Sequence, residues 1–308
     1  MELSVVIVNY NVRNVLEECL SSFYAYVRGI SFEVILIDNN STDGSVQMVK
    51  EKFPEVILLQ NHTNTGFAAA SNSGLIIARG KYILLLNPDT RLKDDSILKM
   101  LEFIKPKKAN VVVGPRLLNA DRSFQHSAFK DRQLLDVFTE AIGLNRLPGF
   151  THSLEGCSSP RRVDALCGAA MLFSAEILKS AGLLDENLHW AEDRDFCLRV
   201  RQGGGAIYYF PEASIIHHQG VSAKKNLKIF YSNYHLSRLK YIKKHKHLFQ
   251  VVLAELLIFF HFLSRIIIFI FLFPFSRSCR NQMRAYIEAF RKNINYIFRF
   301  PKPTISSL

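Results

Sequence analysis

The chain is poor in the cysteine patterns that hold small or metal-bound domains together. Its five cysteines, Cys19, Cys157, Cys167, Cys197 and Cys279, are odd in number, and no pair has CxxC spacing. That argues against a zinc ribbon or a disulfide framework and favours a reducing compartment. There is no repeat at solenoid spacing and no low-complexity tract. The amino terminus carries Glu2, lacks a basic leader, and its apolar run ends at Asn9, so a signal peptide is not expected. No GxGxxG follows that run; Asn9-Tyr10-Asn11 stands there instead, which sets aside a dinucleotide-binding dehydrogenase. Acidic residues are also few. Against 39 Lys and Arg there are 27 Asp and Glu, giving a net charge of +12 over 308 residues.

What is present begins with the placement of that charge. Lys224, Lys225, Lys228, Lys240, Lys243, Lys244 and Lys246 precede a long apolar run, and Arg277, Arg280, Arg284, Arg291 and Lys292 follow it. Basic clusters flanking an apolar segment fit a membrane with anionic headgroups rather than nucleic acid. The run itself, Val251–Phe275, has the length of a membrane span, about 20 residues. Glu255, His261 and Arg265 interrupt it on one third of the helix circumference, leaving a wide lipid-compatible face. Residues 278–300 then repeat Met283, Tyr286, Ile287, Phe290, Ile294 and Ile297 at helical spacing among basic residues. This is a basic amphipathic helix, suited to a membrane surface or to packing on the protein with a solvated basic face.

Before residue 222 the pattern is different. Short apolar runs at Leu3–Val8, Val34–Ile37, Val56–Leu59, Tyr82–Leu86 and Val111–Val113 alternate with helical spacings at Asn14–Val27, Ser45–Phe53 and Gly66–Ala78. Continuous apolar strands separated by helices predict an α/β fold, a mainly parallel sheet with helices on both faces. Two domains follow: 1–222 catalytic, and 223–308 basic, helical and membrane-associated. Residues 115–165 are less regular, with a helix expected over Gln133–Leu144 and a loop over Thr151–Pro160. They suit an acceptor-side insertion or lid. A helix is expected over Glu192–Gln202, ended by Gly203-Gly204-Gly205.

Ligands of such sheets bind beyond the carboxyl ends of the strands. The polar motifs cluster there: Asn9-Tyr10, Asp38-Asn39-Asn40 and Asn87-Pro88-Asp89 each directly follow a strand. Asp38 sits too early to cap the next helix, a role Asp43 fills, and can accept from a nucleobase N–H. Asp89 can ligate a divalent cation on a diphosphate, or simply end a turn. Glu192-Asp193 opens a helix, where its positive end favours acids, and can also supply a general base. Trp190 before it can form an acceptor platform. His217, after the strand-like runs Ala206–Phe210 and Ile215–Ile216, can ligate a metal or stabilise a leaving diphosphate; a surface histidine is the plain alternative.

Taken in order, these stretches resemble the inverting glycosyltransferases of family 2, of GT-A fold, and within them a bacterial rhamnosyltransferase-like group. They run Val5-Val6-Ile7-Val8-Asn9-Tyr10-Asn11, Asp38 to Ser45, Asn64-Thr65-Gly66-Phe67-Ala68-Ala69-Ala70-Ser71-Asn72, Asn87-Pro88-Asp89, Gly168-Ala169-Ala170-Met171 with Glu192 to Arg199, and His217-His218-Gln219-Gly220-Val221-Ser222. The resemblance implies that Asn9 and Tyr10 line a nucleobase pocket, with Asp38 accepting from the base and Asn40 nearby. Asn64, Gly66 and Asn72 would contact ribose or phosphates. Asp89, with His217, would hold Mg²⁺ or Mn²⁺. Asp193 would be the base, supported by Glu192. Asn87 stands where the wider family has the first acid of Asp-x-Asp, which leaves one strong carboxylate ligand.

The implied reaction moves rhamnose or a similar sugar from a nucleoside-diphosphate donor (dTDP-rhamnose, or a UDP or GDP sugar) to a lipid-linked or polysaccharide acceptor in cell-envelope glycan synthesis. Because nucleotide sugars are cytosolic, the catalytic domain would face the cytoplasm at a bacterial cytoplasmic membrane. A single full span would put the basic tail outside, against the positive-inside tendency, so a re-entrant, interfacial or hairpin arrangement is expected. Two other readings stand beside it: a polyprenyl-phosphate sugar synthase, and a catalytically silent GT-A membrane scaffold.

Overall fold

The computed structural model describes residues 1–107, 110–131, 133–141, 144, 154–218, 227–272 and 277–297. The chain divides into two compact units, Met1–Asp131 with His152–Ser222, and Arg132–Thr151 with Ala223–Leu308. Residues Arg132–Thr151 thus group with the C-terminal part, which a single boundary at residue 222 does not capture.

The first unit is built on strands β1 (Leu3–Asn9), β2 (Phe32–Asp38), β3 (Ile57–Gln60), β4 (Tyr82–Leu86), β5 (Thr90–Arg91), β6 (Val111–Leu118), β7 (Phe124–Gln125), β8 (Ala128–Phe129), β9 (Arg161–Val163), β10 (Ala165–Leu166), β11 (Ala170–Ser174) and β12 (Ala206–His217). Its helices are α1 (Arg13–Tyr26), α2 (Ser45–Lys52), α3 (Phe67–Ile77), α4 (Ser96–Ile104), α6 (Ile177–Ala181) and α7 (Glu192–Gln202); α5 (Gln133–Ala141) belongs to the second unit. The main sheet runs in the order β3-β2-β1-β4-β11-β6-β12-β5, with β7 on β6 and β9 on β12.

Why the strands are continuously apolar is visible in their burial. Leu3, Val5 and Ile7 of β1 enter a core with Leu16, Leu20 and Phe23 of α1, Met48 of α2 and Met100 of α4. Val6 and Val8 enter the opposite core, with Leu75 of α3, Ile177 of α6 and Phe196 of α7. A strand covered on both faces cannot alternate polar and apolar residues. The small-residue character of α3 has its own cause: a Cβ on Gly74 would lie 2.6 Å from Val6 Cγ1 and 2.8 Å from Ile37 Cδ1, so the helix packs closely on β1 and β2.

The first four strands are parallel, as are β6 and β12. Between β4 and β6, however, β11 runs antiparallel to both, and β5, β7 and β9 also pair antiparallel. The sheet is therefore mixed. An apolar run such as Val163–Phe173 carries no mark of direction, which is why sequence alone suggests a more uniformly parallel sheet. The two strand-like runs before His217 are one strand, with a register shift between Phe210 and Ser214 around Pro211, which has no N–H for the ladder.

The second unit contains α5, α8 (Leu227–His245), α9 (Leu248–Leu272) and α10 (Arg277–Ile297). Among the described residues one helix, over Leu248–Phe271, is long and apolar enough to cross a membrane. Its inner side buries Val251, Ala254, Ile258, His261 and Phe262, while Phe249, Val252, Leu256, Phe260, Leu263, Ile267 and Phe271 lie exposed at steps of three and four. The expected polar stripe faces inward: Glu255 pairs with Lys243 of α8 at 2.8 Å, and the His261 ring lies 4.9 Å from that of His235. On α10, Ala285, Tyr286 and Ala289 are buried and Phe290 meets Phe259 and Phe262. The basic amphipathic helix thus turns apolar residues against its neighbours, which is the protein-packed alternative. Pro274, expected to end the long helix, lies outside the described residues.

Candidate active site

Parallel order places the site. From β1 the sheet extends one way through β2 and β3 and the other way to β4, so the strand order reverses between β1 and β4. At such a reversal the loops leaving neighbouring carboxyl ends part and open a crevice. Asn9 and Asp38 lie at those ends in direct register, and Asn87-Pro88-Asp89 follows β4. Because β11 is antiparallel with Ala170 opposite Leu86, its amino end comes to the same edge, where Asn87 N donates to Ala169 O at 2.9 Å. His217 reaches the edge at the end of β12, opposite Thr90. A cleft lined by Met1, Glu2, Ser31, Lys81, Tyr82 and Lys105 lies at the amino ends of β1 and β4, the wrong edge for this chemistry.

At the β1–β2 end, Asn9 Nδ2 donates to Asp38 Oδ1 at 2.7 Å and to Ser41 Oγ at 3.0 Å. Asp38 Oδ2 accepts from Ser41 N at 2.8 Å. These bonds fix the amide orientation and leave Asn9 Oδ1 a buried acceptor with no partner. Tyr10 and Asn40 are exposed beside them, Asn40 at φ 66. The next loop is tied in by Asn39, a buried residue that the sequence reading passed over for its neighbour. Its Nδ2 donates to Gly66 O at 3.2 Å, and its Oδ1 accepts from Asn61 Nδ2 at 2.8 Å and Thr65 Oγ1 at 3.1 Å. Asn64 Oδ1 accepts from Gly66 N at 3.0 Å, and Gly66 itself takes φ 86, a conformation that favours glycine, just before α3. Asn72 does something else. Buried in α3, it donates to Leu184 O and to Glu186 at 2.9 Å each and accepts from Leu184 N at 3.0 Å, so its amide holds the 184–186 loop rather than facing the crevice loops.

Asp89 and His217 do meet, with Asp89 Oδ1 3.3 Å from His217 Nε2. The imidazole proton can be located from a chain of hydrogen bonds. Asn119 Nδ2 donates to Phe124 O, so Asn119 Oδ1 is the acceptor for Gln125 Nε2 at 3.0 Å. Gln125 Nε2 also donates to His217 O, which makes Gln125 Oε1 the acceptor for His217 Nδ1–H at 2.7 Å. Nε2 of the neutral ring is then bare and faces a carboxylate oxygen. Two acceptors at this distance repel unless a proton or cation lies between them. Ligand atoms bonded at about 2.1 Å to one metal stand roughly 3–3.4 Å apart, so the pair fits a divalent cation. Gln125 Oε1 holds the His217 ring in the way a carboxylate or carbonyl orients an imidazole at a metal site. Nothing in its sequence position announces the role, since β7 is only two residues long.

Glu192 and Asp193 open α7, beside the strand edge. Asp193 Oδ2 accepts from Gly168 N at 2.9 Å and Oδ1 from Arg194 N at 2.7 Å, while Glu192 Oε2 accepts from Ala191 N at 2.9 Å. Gly168 precedes β11, so this bond ties the base candidate to the strand that flanks Asn87. Although both side chains keep some surface, protein encloses them on most sides. Burial, then the neighbouring Asp193, pushes Glu192 from 4.5 to about 8. Burial also raises Asp193, opposed by Arg194 and the two amides. Cys167 lies in the field of both Asp193 and Asp89, and burial with that field pushes its thiol up to about 12. Trp190, at φ 77 and exposed, holds an uncommon backbone conformation just before the pair. Gln219, Gly220, Val221 and Ser222 lie outside the described residues.

A mixed sheet with acids and amides gathered at its switch point places the chain in a class of α/β domains that is found among known transferases. The fold is shared with S. aureus TarS residues 1–349 in complex with UDP (TM-score 0.53, 21% identity, 90% of this chain and 73% of that one). It is also shared with GalNAc-T7 solved with UDP, GalNAc and Mn²⁺ (TM-score 0.55, 15% identity, 79% and 48%). In sequence, the chain is 28% identical over 243 residues to the N-acetylglucosaminyl-diphospho-decaprenol L-rhamnosyltransferase of Mycobacterium tuberculosis, covering 73% of this chain and 78% of that protein. It is 29% identical over 136 residues to a poly(ribitol-phosphate) beta-glucosyltransferase of Bacillus spizizenii, covering 42% of this chain and only 22% of that protein. The minor teichoic acid biosynthesis protein GgaB of Bacillus subtilis matches at 26% over 243 residues, again spanning only 26% of its length. Residues 4–179 match the model of glycosyl transferase family 2, and the chain belongs to that family.

Proposed function

We propose that the first unit is an inverting transferase that moves a hexose, rhamnose or a similar sugar, from a nucleoside diphosphate to a lipid-linked or polysaccharide acceptor of the bacterial cell envelope. The observation that carries this reading is the placement of Asp193 and the Asp89–His217 pair at one sheet edge, joined through Gly168, Ala169 and Asn87. Asn9 and Asp38 hold the nucleobase end, and the Gly66 backbone allows phosphates to approach α3. Asp89 and His217 would hold Mg²⁺ or Mn²⁺, which would supply positive charge to a diphosphate. Asp193 takes the proton of the acceptor hydroxyl. The freed oxygen attacks the anomeric carbon as its bond to the diphosphate oxygen breaks on the opposite face, so the configuration inverts and the nucleoside diphosphate leaves with the bond electrons.

A lipid-linked acceptor is supported by the mycobacterial relative, whose name specifies a diphospho-decaprenol substrate. It is also supported by the exposed apolar stripe of α9, a surface that water disfavours and a bilayer accepts. The catalytic unit then works at the cytoplasmic face of the membrane, where nucleotide sugars are made. The test is nucleoside-diphosphate release from a panel of nucleotide sugars with membrane extract as acceptor. Release with one donor, dependent on acceptor, names the sugar. No release with any donor, given purified lipid-linked acceptors as well, overturns the transferase reading in favour of a silent scaffold.

A further inference from the structure

Apart from the sheet-edge site, the second unit gathers a separate set of metal-ligating groups. Glu140 of α5, His235 of α8 and His261 of α9 each bring one ligand atom within 4.8 Å of the others. His235 and His261 are 3% and 4% exposed. Their burial is chemically unresolved: Nδ1 of His235 and both ring nitrogens of His261 have no hydrogen-bond partner, although the Glu140 backbone carbonyl comes near the His261 ring. Each unmatched buried polar atom costs about 1–3 kcal/mol, so a structure that leaves three of them on two neighbouring rings invites an occupant. Glu140 accepts from Arg238 Nη1 at 2.7 Å through Oε2, and a carboxylate can ligate through one oxygen while the other accepts. The rest of the surroundings is aromatic, with Phe262 4.8 Å and Tyr234 5.1 Å from the His235 ring.

We infer that Glu140, His235 and His261 form a binding site for a divalent transition metal, of the zinc type, that clasps α5, α8 and α9 together. Two imidazoles and a carboxylate are a borderline-soft donor set that suits zinc, with a fourth position for water. Zinc with bonds of about 2.1 Å holds its ligand atoms roughly 3.4 Å apart, so the cluster, whose atoms lie within 4.8 Å of one another, needs to contract by at most about 1.4 Å, within reach of side-chain torsions. The imidazoles must be neutral to ligate. A metal at this point would stiffen the helix that carries the apolar stripe, because binding free energy at a site formed only in the fold is folding free energy.

The experiment uses the full chain in detergent, stripped with chelator and reloaded with Zn²⁺, with His217→Ala as the common background so that the Asp89–His217 pair cannot take up Zn²⁺; wild type here means wild type at Glu140, His235 and His261. Wild type is expected to retain a single equivalent of Zn²⁺ and to melt at a higher temperature with it. His235→Asn, His261→Asn and Glu140→Gln are each expected to lower Zn²⁺ affinity at least tenfold and to lose the melting shift. X-ray absorption on zinc-loaded wild type should show two imidazoles in the first shell, a readout that no variant's misfolding can obscure. Wild type that retains no Zn²⁺, variants that bind it with wild-type affinity, or a first shell with fewer than two imidazoles would each overturn the assignment.

Discussion

Replacing Asp193 by asparagine exchanges one oxygen for an NH₂ and brings two separate effects. Both carboxylate oxygens now face backbone donors, Gly168 N at 2.9 Å and Arg194 N at 2.7 Å. Whichever way the amide turns, its NH₂ meets an N–H. That conflict costs about 1–3 kcal/mol, toward the low end because the side chain keeps some surface. Chemistry loses more. An amide cannot take the acceptor's proton, and a general base contributes about 10²–10⁴-fold, or roughly 3–5 kcal/mol of barrier. The assay is nucleoside-diphosphate release at saturating donor and acceptor, corrected for folded fraction by denaturant titration. The expected result is a fall of at least a hundredfold in kcat, with the donor's dissociation constant unchanged within about threefold. Activity within tenfold of wild type would refute the assignment of the base and point to an acceptor that is already ionised, such as a polyprenyl phosphate.

The remaining predictions use other parts of the molecule. Glu192 is raised from 4.5 to about 8, so the folded protein binds more protons than the unfolded one between those values, and its contribution to stability is complete below the lower value and lost as pH rises through the upper. Glu192→Gln should therefore flatten the fall of the thermal midpoint between pH 5 and 9; an unchanged slope would contradict the enclosure of that carboxyl. Gln125→Leu should raise the Mn²⁺ concentration for half-maximal activity by about 10–100-fold, as loss of an orienting partner does. Asn72→Ala, which removes three hydrogen bonds to Leu184 and Glu186, should cost about 2–4 kcal/mol in denaturant melts while leaving donor affinity within threefold. Leu256→Lys with Phe260→Lys, both on the exposed stripe of α9, should weaken partition into uncharged zwitterionic vesicles by at least about a hundredfold, since each apolar side chain is worth about 1.5–3 kcal/mol when buried.

Most of the catalytic fold was legible because its cause is local. Runs such as Val34–Ile37 and Tyr82–Leu86 are apolar at every position because both faces are covered, and the polar residues that follow them mark the carboxyl edge. Glu192–Gln202 is readable as a helix from its acids, its spacing and the three glycines beyond it. Less legible was anything that depends on which way a strand runs or which neighbour it finds. The antiparallel insertion of β11 brings Gly168 to Asp193 and Ala169 to Asn87, and no residue type in Val163–Phe173 encodes direction. Asn39 and Asn40 illustrate the limit at single-residue scale. Either could face the crevice, and only backbone conformation turns the first inward and leaves the second exposed at φ 66.

By itself, then, the sequence determined the alternation of covered strands and helices, the edge at which polar motifs collect, and the apolar length of α9, because each depends on residue type and spacing along a short stretch. The tertiary structure alone decided the tautomer of His217, set by Asn119 and Gln125 nearly a hundred residues earlier in the chain. It alone turned Asn72 to a loop more than a hundred residues away and brought Glu140, His235 and His261 together from three helices. Such meetings are set by packing between distant segments, and no local pattern carries their geometry.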